Sequence, residues 1–264
     1  MATSKIERPW QSLFPDFPLI HDAGFHNSIW RGISLGNSLT SAQSTAIVDG
    51  TFIDLFLGDY WTINDVNWRI MGFDTFFSCG DNLLSKHHVV IVPDTNLYKT
   101  KWNETNNTID GGPNNGVGYV GSLIRANIKS STNGTTEGAE LKVIAAFGDS
   151  HVLNYRTIYP SAYDADGYAT TFANFNARVE LMSEVMVYGC HIFTANGHGS
   201  GYEAGIEKTQ LPGFRVNPYL IKSADYWLRN PFTKSQACLV GTYGNATRAN
   251  ASFEKNVRPF ALIA

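Results

Sequence analysis

Seven histidines, three cysteines and 23 acidic side chains are the groups in this chain that could hold a metal or move a proton. His87 and His88 are adjacent. On a strand, neighbouring side chains point to opposite faces, so this pair is poorly placed to share an ion. His191 and His198 sit near Cys190, but without the ligand spacing of a zinc site. His21 and His26 fall in a proline-rich N-terminal stretch. Cys79, Cys190 and Cys238 cannot all pair within one chain, and they too lack metal-ligand spacing. They are read as reduced, mostly buried thiols. No metal and no cofactor is expected.

A nucleophile fares no better. Gly148-Asp149-Ser150 stands directly before His151. One class of esterase carries Gly-Asp-Ser near its start and a distal Asp-x-x-His, whereas here the tripeptide is mid-chain and no such motif follows. It reads as a helix stop and a turn. Asp54, Asp59, Asp74 and Asp81 offer carboxylates for glycoside hydrolysis, but spacing alone does not place two of them across one cleft. The run from Gly111 to Gly116 lacks a following Lys-Ser/Thr and is not a phosphate loop. Five Asn-x-Ser/Thr sequons, at Asn103, Asn106, Asn133, Asn245 and Asn250, carry no weight in so Asn- and Thr-rich a chain. The chain is expected not to be an enzyme.

Recognition is the better fit. Tyr226-Trp227-Leu228-Arg229-Asn230-Pro231 and Asn256-Val257-Arg258-Pro259-Phe260 are apolar anchors around a segment rich in Thr, Ser, Asn, Gly and Ala. Two buried strands would hold that polar segment outward. Tyr243, Arg248 and the neighbouring Asn residues offer stacking, charge and amide hydrogen bonds, which suit saccharide or protein epitopes. The plainer alternative is an ordinary hairpin around Tyr243-Gly244 with polar residues facing water.

Composition sets the frame. Hydrophobic residues make up 43% and charged residues only 16%, so uncharged polar groups must cover much of the surface. With 24 glycines and 13% aromatics, this favours β-rich structure with many turns. Net charge is −3 and no Lys/Arg run exists, so nucleic acid is not an expected partner. No stretch approaches the roughly 18 apolar residues of a membrane helix, and Met1-Ala2-Thr3-Ser4-Lys5 does not open a signal peptide. The initiator Met is read as the start of a complete product made in the cytoplasm.

Two parts are expected: an extended N-terminal arm over residues 1–35 and a body over residues 36–264. In the arm, Trp10, Phe14, Phe17, Trp30 and three prolines lie among polar residues without a period, suited to packing on this body or another subunit. Thr40-x-x-Gln43 predicts a capped helix stopped at Gly50. A strand is predicted over 51–57. Tyr60 to Ile63 and Val66 to Ile70, split by Asn64-Asp65, predict a hairpin with Trp61 and Trp68 in the core. His88 to Val92 predicts a buried strand ended by Pro93. Residues 103–116, 130–138 and 196–205 read as loops. A helix is predicted around Leu141 to Ala145, and another over Val179 to Met186. Further strands are predicted over 151–159, 190–193, 227–228, 237–240 and 257–263.

Gly58-Asp59-Tyr60-Trp61, Trp68-Arg69-Ile70, Trp227-Leu228-Arg229-Asn230-Pro231 and Val257-Arg258-Pro259 together resemble a domain of prophages and gut bacteria. That domain is similar to the C-type-lectin-like fold, including the variable proteins of diversity-generating retroelements. The run His87 to Tyr98 also resembles structural proteins of tailed phages. The resemblance implies an α+β body: a C-type-lectin-like twisted antiparallel sheet with a few short helices and long loops, its first and last strands together. It implies a framework of Trp61, Trp68, Trp227, Leu228, Arg229, Val257, Arg258 and Pro259. It implies a ligand face of Phe232, Lys234, Gln236, Tyr243, Asn245, Thr247, Arg248, Asn250 and Ser252. Glu-Pro-Asn or Gln-Pro-Asp ligand motifs and paired disulfides of calcium-dependent lectins are missing, which speaks against calcium-mediated sugar binding.

The expected function is that of a virion surface protein of a tailed phage, in a tail fibre, tail tip or head fibre. It would be made in the host cytoplasm and act as an adhesin for a host cell-surface glycan or protein. Its partners would be other virion proteins and further copies of itself, a trimer by analogy with phage fibres. Nucleic acid binding and membrane insertion are not expected. A decoration protein that stabilises capsid or tail without a ligand is the alternative, and a polysaccharide hydrolase is a third.

Overall fold

Tyr60–Ile63 (β1) and Val66–Phe73 (β2) pair in antiparallel register, with Trp61 opposite Trp68. Their two-residue turn needs positive φ at both positions, and Asn64 (52°) and Asp65 (60°) supply it. β2 then pairs with Val89–Pro93 (β3), a strand buried along its whole length. This hairpin is the corner of an α+β structure built mostly from antiparallel sheets with a few short helices. The computed structural model describes residues 21–109, 118–129, 138–164, 169–194 and 209–264. Trp10, Phe14, Phe17, His198, the 130–137 and 196–205 loop stretches and residues 110–117 of the Asn/Gly-rich loop lie outside the described residues.

Two five-stranded sheets carry the body. The first has the order β1-β2-β3-β12-β7, with Val179–Leu181 as β7 and Pro259–Ile263 as β12. The second has the order β10-β9-β8-β11-β4. Its strands are Tyr98–Lys101 (β4), Tyr226–Thr233 (β8), Gln236–Val240 (β9), Ala246–Asn250 (β10) and Glu254–Val257 (β11). Tyr155–Tyr163 (β5) and Ala169–Ala177 (β6) form a separate two-stranded ribbon. The resemblance implies one sheet with its first and last strands together. Here β12 lies between β3 and β7, separated from β1 by β2 and β3. All five residues of β12 are buried, which a central position provides and an edge does not.

The other departures have local causes. Residues 51–57 form turns, not a strand, because Phe52 (φ 49°) and Asp54 (φ 59°) are left-handed. The expected strand over 257–263 is two strands in different sheets, with the chain crossing between them at Arg258. Residues 190–193 are irregular, and 151 belongs to a short 3-10 turn before β5. The expected helix over 179–186 is the strand β7 followed by the helix Glu184–Tyr188. The predicted capping box is formed at Ser41–Val48, where Thr40 and Gln43 bond reciprocally. Trp61 and Trp68 both meet Phe147, the last residue of the helix Ala139–Phe147, edge-on.

Residues 21–35 lie against the body. Trp30 and Ser34 bridge to Leu57 and Tyr60, and the fully buried Asp59 carboxylate is the anchor. It accepts from Arg31 Nε and Nη2 (3.0 and 2.6 Å), from Ile33 N and from Phe56 N. We expect Asp59→Asn to release this segment. Amide exchange at Arg31 and Leu35, which donate to the Leu57 and Tyr60 carbonyls, should accelerate about tenfold or more. Unchanged exchange would mean that the backbone pairing suffices alone.

Candidate functional site

The β9–β10 hairpin sits at one margin of the second sheet, and β10 is its edge strand. Arg248 pairs with Cys238 and Asn250 with Gln236. The turn between the strands is closed by Gly241 N to Asn245 O (2.7 Å) and Gly244 N to Gly241 O (2.8 Å), and Gly244 takes φ 84° there. Ala251 N donates to Ser235 O at the other end. Antiparallel bonding alternates along a strand. Residues 245, 247, 249 and 251 therefore bond inward, and the backbone N–H and C=O of Ala246 and Arg248 point away from the sheet.

Side chains divide the predicted ligand face. Arg248 lies with its guanidinium 4.5 Å from the Phe232 ring centre and 5.0 Å from that of Phe193. The two phenyl rings meet edge-to-face at 5.4 Å. No hydrogen-bond acceptor or carboxylate engages Arg248 among the described residues. It is exposed, as are Lys234 and Asn245, while Tyr243 at the turn is 84% exposed. Gln236 and Asn250 share Arg248's face and bond to each other (3.1 Å). Thr247, one residue along, points to the opposite face. Ser252 lies beyond the strand and is held by Asn106 Oδ1 at 2.6 Å.

The framework residues are all interior. Trp61, Trp227, Leu228 and Val257 are fully buried, Trp68, Arg229 and Arg258 nearly so, and Pro259 is buried. Trp227 Nε1 donates to Thr100 O on β4. Arg258 sits at the crossing between sheets, donating to the Pro93 and Leu220 carbonyls and lying over the Tyr226 ring at 5.3 Å. Arg229 lies 4.9 Å from the Tyr159 ring centre.

Sequence reasoning missed the segment that completes the shelf. Phe193 is held in place by the fully buried Glu184, whose carboxylate accepts from Ile192 N, Phe193 N, Thr194 N and Thr194 Oγ1 at 2.7 to 3.2 Å. Ser183 caps the helix that begins at Glu184. Tyr188 OH, from the same helix, donates to Gly244 O, so one helix fixes both Phe193 and the hairpin turn. Burial lowers the His191 pKa against the opposing pull of Glu184. The Ser-Glu start of this helix is a cap signal in the sequence, but nothing there shows that its carboxylate gathers residues 192–194.

His87, His88 and the candidate aspartates lie on other elements. His87 and His88 precede β3, so strand alternation does not separate them: His87 Nδ1 is 2.6 Å from Asp74 Oδ2, and His88 N donates to Asp74 Oδ1. Among the described residues no group of three His, Cys, Asp or Glu is placed to hold a metal. Asp59, Asp74 and Asp81 are engaged by Arg31, His87 and Arg156 respectively, and Asp54 lies in the 52–55 turn. Gly148 ends its helix, and Asp149-Ser150-His151 form one 3-10 turn. No helix among the described residues is long and apolar enough to cross a membrane. Compared with known proteins, the chain matches no family model, no curated sequence and no solved structure.

Proposed function

We propose that this protein is a phage virion surface adhesin that binds a host cell-surface glycan or protein through the β8–β10 face. The observation that carries the reading is Arg248: a guanidinium held over two phenyl rings, exposed, and with no acceptor or carboxylate engaging it among the described residues. Such a cation has lost orientational freedom before any ligand arrives, which lowers the entropic cost of binding. Tyr243 adds an exposed aromatic that costs little entropy to order. The body would be a C-type-lectin-like variant that acts by binding, not turnover. A homotrimer tied to other virion proteins would turn weak sites into avid attachment.

The test is attachment of the isolated protein to host cells. Tyr243→Ala with Arg248→Ala should weaken attachment by about tenfold or more, with Tm within about a degree of the parent because both side chains are exposed. Undiminished attachment would remove this face from the reading.

The alternative of a decoration protein has its own support in β10. Outward-pointing backbone groups on a sheet edge, such as those of Arg248, suit strand addition by a neighbouring subunit. Binding to assembled particles but not to cells, lost on Ala246→Pro, would favour that reading.

A further inference from the structure

We propose that a second, separate site, the cleft between the 82–86 loop and the base of the β5–β6 ribbon, binds a neutral, hydroxyl-rich ligand of the saccharide class. The cleft has a volume of about 400 Å³, within the ~300–1,000 Å³ span of small-molecule sites. Most such sites are lined by apolar groups. This one brings Asn82, Ser85, Asn154 and Asn176 together above a floor of Leu84, Leu153 and Tyr155, which belong to the core.

The cleft is braced on both walls. Ser78 N donates to Leu84 O and Leu84 N to Cys79 O, closing the loop on itself. Asp81 receives Arg156 Nε and Nη2, both at 2.8 Å, and Arg156 Nη1 reaches Asn176 Oδ1 at 3.1 Å. Gly80, at φ 92°, lets the loop press on β5: a Cβ there would stand 2.8 Å from Arg156 O. Of the amides and hydroxyls that face the opening, these contacts use the Asn176 oxygen alone.

Those groups decide the ligand class. Among the described residues, the side chains of Asn82, Ser85 and Asn154 have no hydrogen-bond partner, and Asn176 keeps its amide NH₂ after its oxygen accepts from Arg156. Amides donate and accept at once, as sugar hydroxyls do, so each can meet a hydroxyl in either sense. The Arg156 charge is paired with Asp81, and Lys86 is the one charge on the lining without an ion-pair partner among the described residues. Leu83, 63% exposed, offers the rim an apolar surface for the C–H face of a pyranose.

The experiment is saturation-transfer NMR with titration of the full chain by maltose, lactose and chitobiose, with glucuronate as the charged comparison. We expect saturable binding of at least one neutral disaccharide. Asn82→Ala with Asn154→Ala should weaken it about tenfold while leaving Tm unchanged, since both side chains are exposed. Binding that is lost on Arg248→Ala but not on the double substitution would belong to the β8–β10 face and would also overturn the proposal. Absence of saturation by every neutral disaccharide, binding of glucuronate alone, or indifference to the double substitution would each overturn the proposal.

Discussion

Trp227→Ala should lower the stability of the protein by about 3–5 kcal/mol. The indole is fully buried on the central strand β8. It stands opposite Leu239 of β9, and its Nε1 reaches across β11 to the Thr100 carbonyl on β4. Truncation therefore leaves a cavity among three strands and deprives the Thr100 carbonyl of its indole donor. For a chain of this size the Tm should fall by on the order of 10 °C. Urea unfolding of Trp227→Ala beside Tyr243→Ala checks the claim. The second should stay within about 0.5 kcal/mol of the parent. Equal stability of the two variants would mean that Trp227 is not an anchor of the sheet that carries the hairpin.

Local chemistry was legible in the sequence where one short stretch decides the outcome. Asn64-Asp65 could hardly be anything but a tight turn, and Thr40-x-x-Gln43 closes the capping box it predicts. Apolar runs located β3 and β9 to within a residue or so. The misreadings share a cause: a partner far along the chain. Arg258 looks like one residue of a single closing strand, yet it is the point where the chain leaves one sheet for the other. Val179 to Met186 has helical spacing, but the carbonyl of Met182 accepts from Arg229 N on β8 and the first half of the segment is drawn into the first sheet. The exposure of Tyr243 and Arg248 follows from the polar pattern alone. The shelf under Arg248 does not, because Phe193 and Phe232 are nearly forty positions apart and meet only through the helix at Glu184.

Glu180→Ala should cost a similar amount, about 3–5 kcal/mol, by a different mechanism. Glu180 is fully buried on β7 and receives Arg125 Nε and Nη2, with Nη2 to Oε1 at 2.9 Å. Tyr119 OH donates to its other oxygen at 2.8 Å and in turn accepts from Leu181 N. Burial, followed by the nearby Glu180 charge, raises the Tyr119 pKa well above the usual phenol value, so the hydroxyl stays protonated and able to donate. Removing the carboxylate leaves Arg125 charged and enclosed. Its remaining bond, to Asn176 O at the base of the β5–β6 ribbon, does not neutralise it. If the cost is that of an orphaned cation, removing the cation as well should recover most of it. Arg125→Met with Glu180→Leu should therefore unfold within about 1–2 kcal/mol of the parent, because the pair's mutual attraction is largely offset by its desolvation. A double-mutant cycle in urea measures this directly. A double variant as unstable as Glu180→Ala would instead place the cost in lost shape and in the Tyr119 hydroxyl, making the tyrosine and not the ion pair the link between β7 and the ribbon.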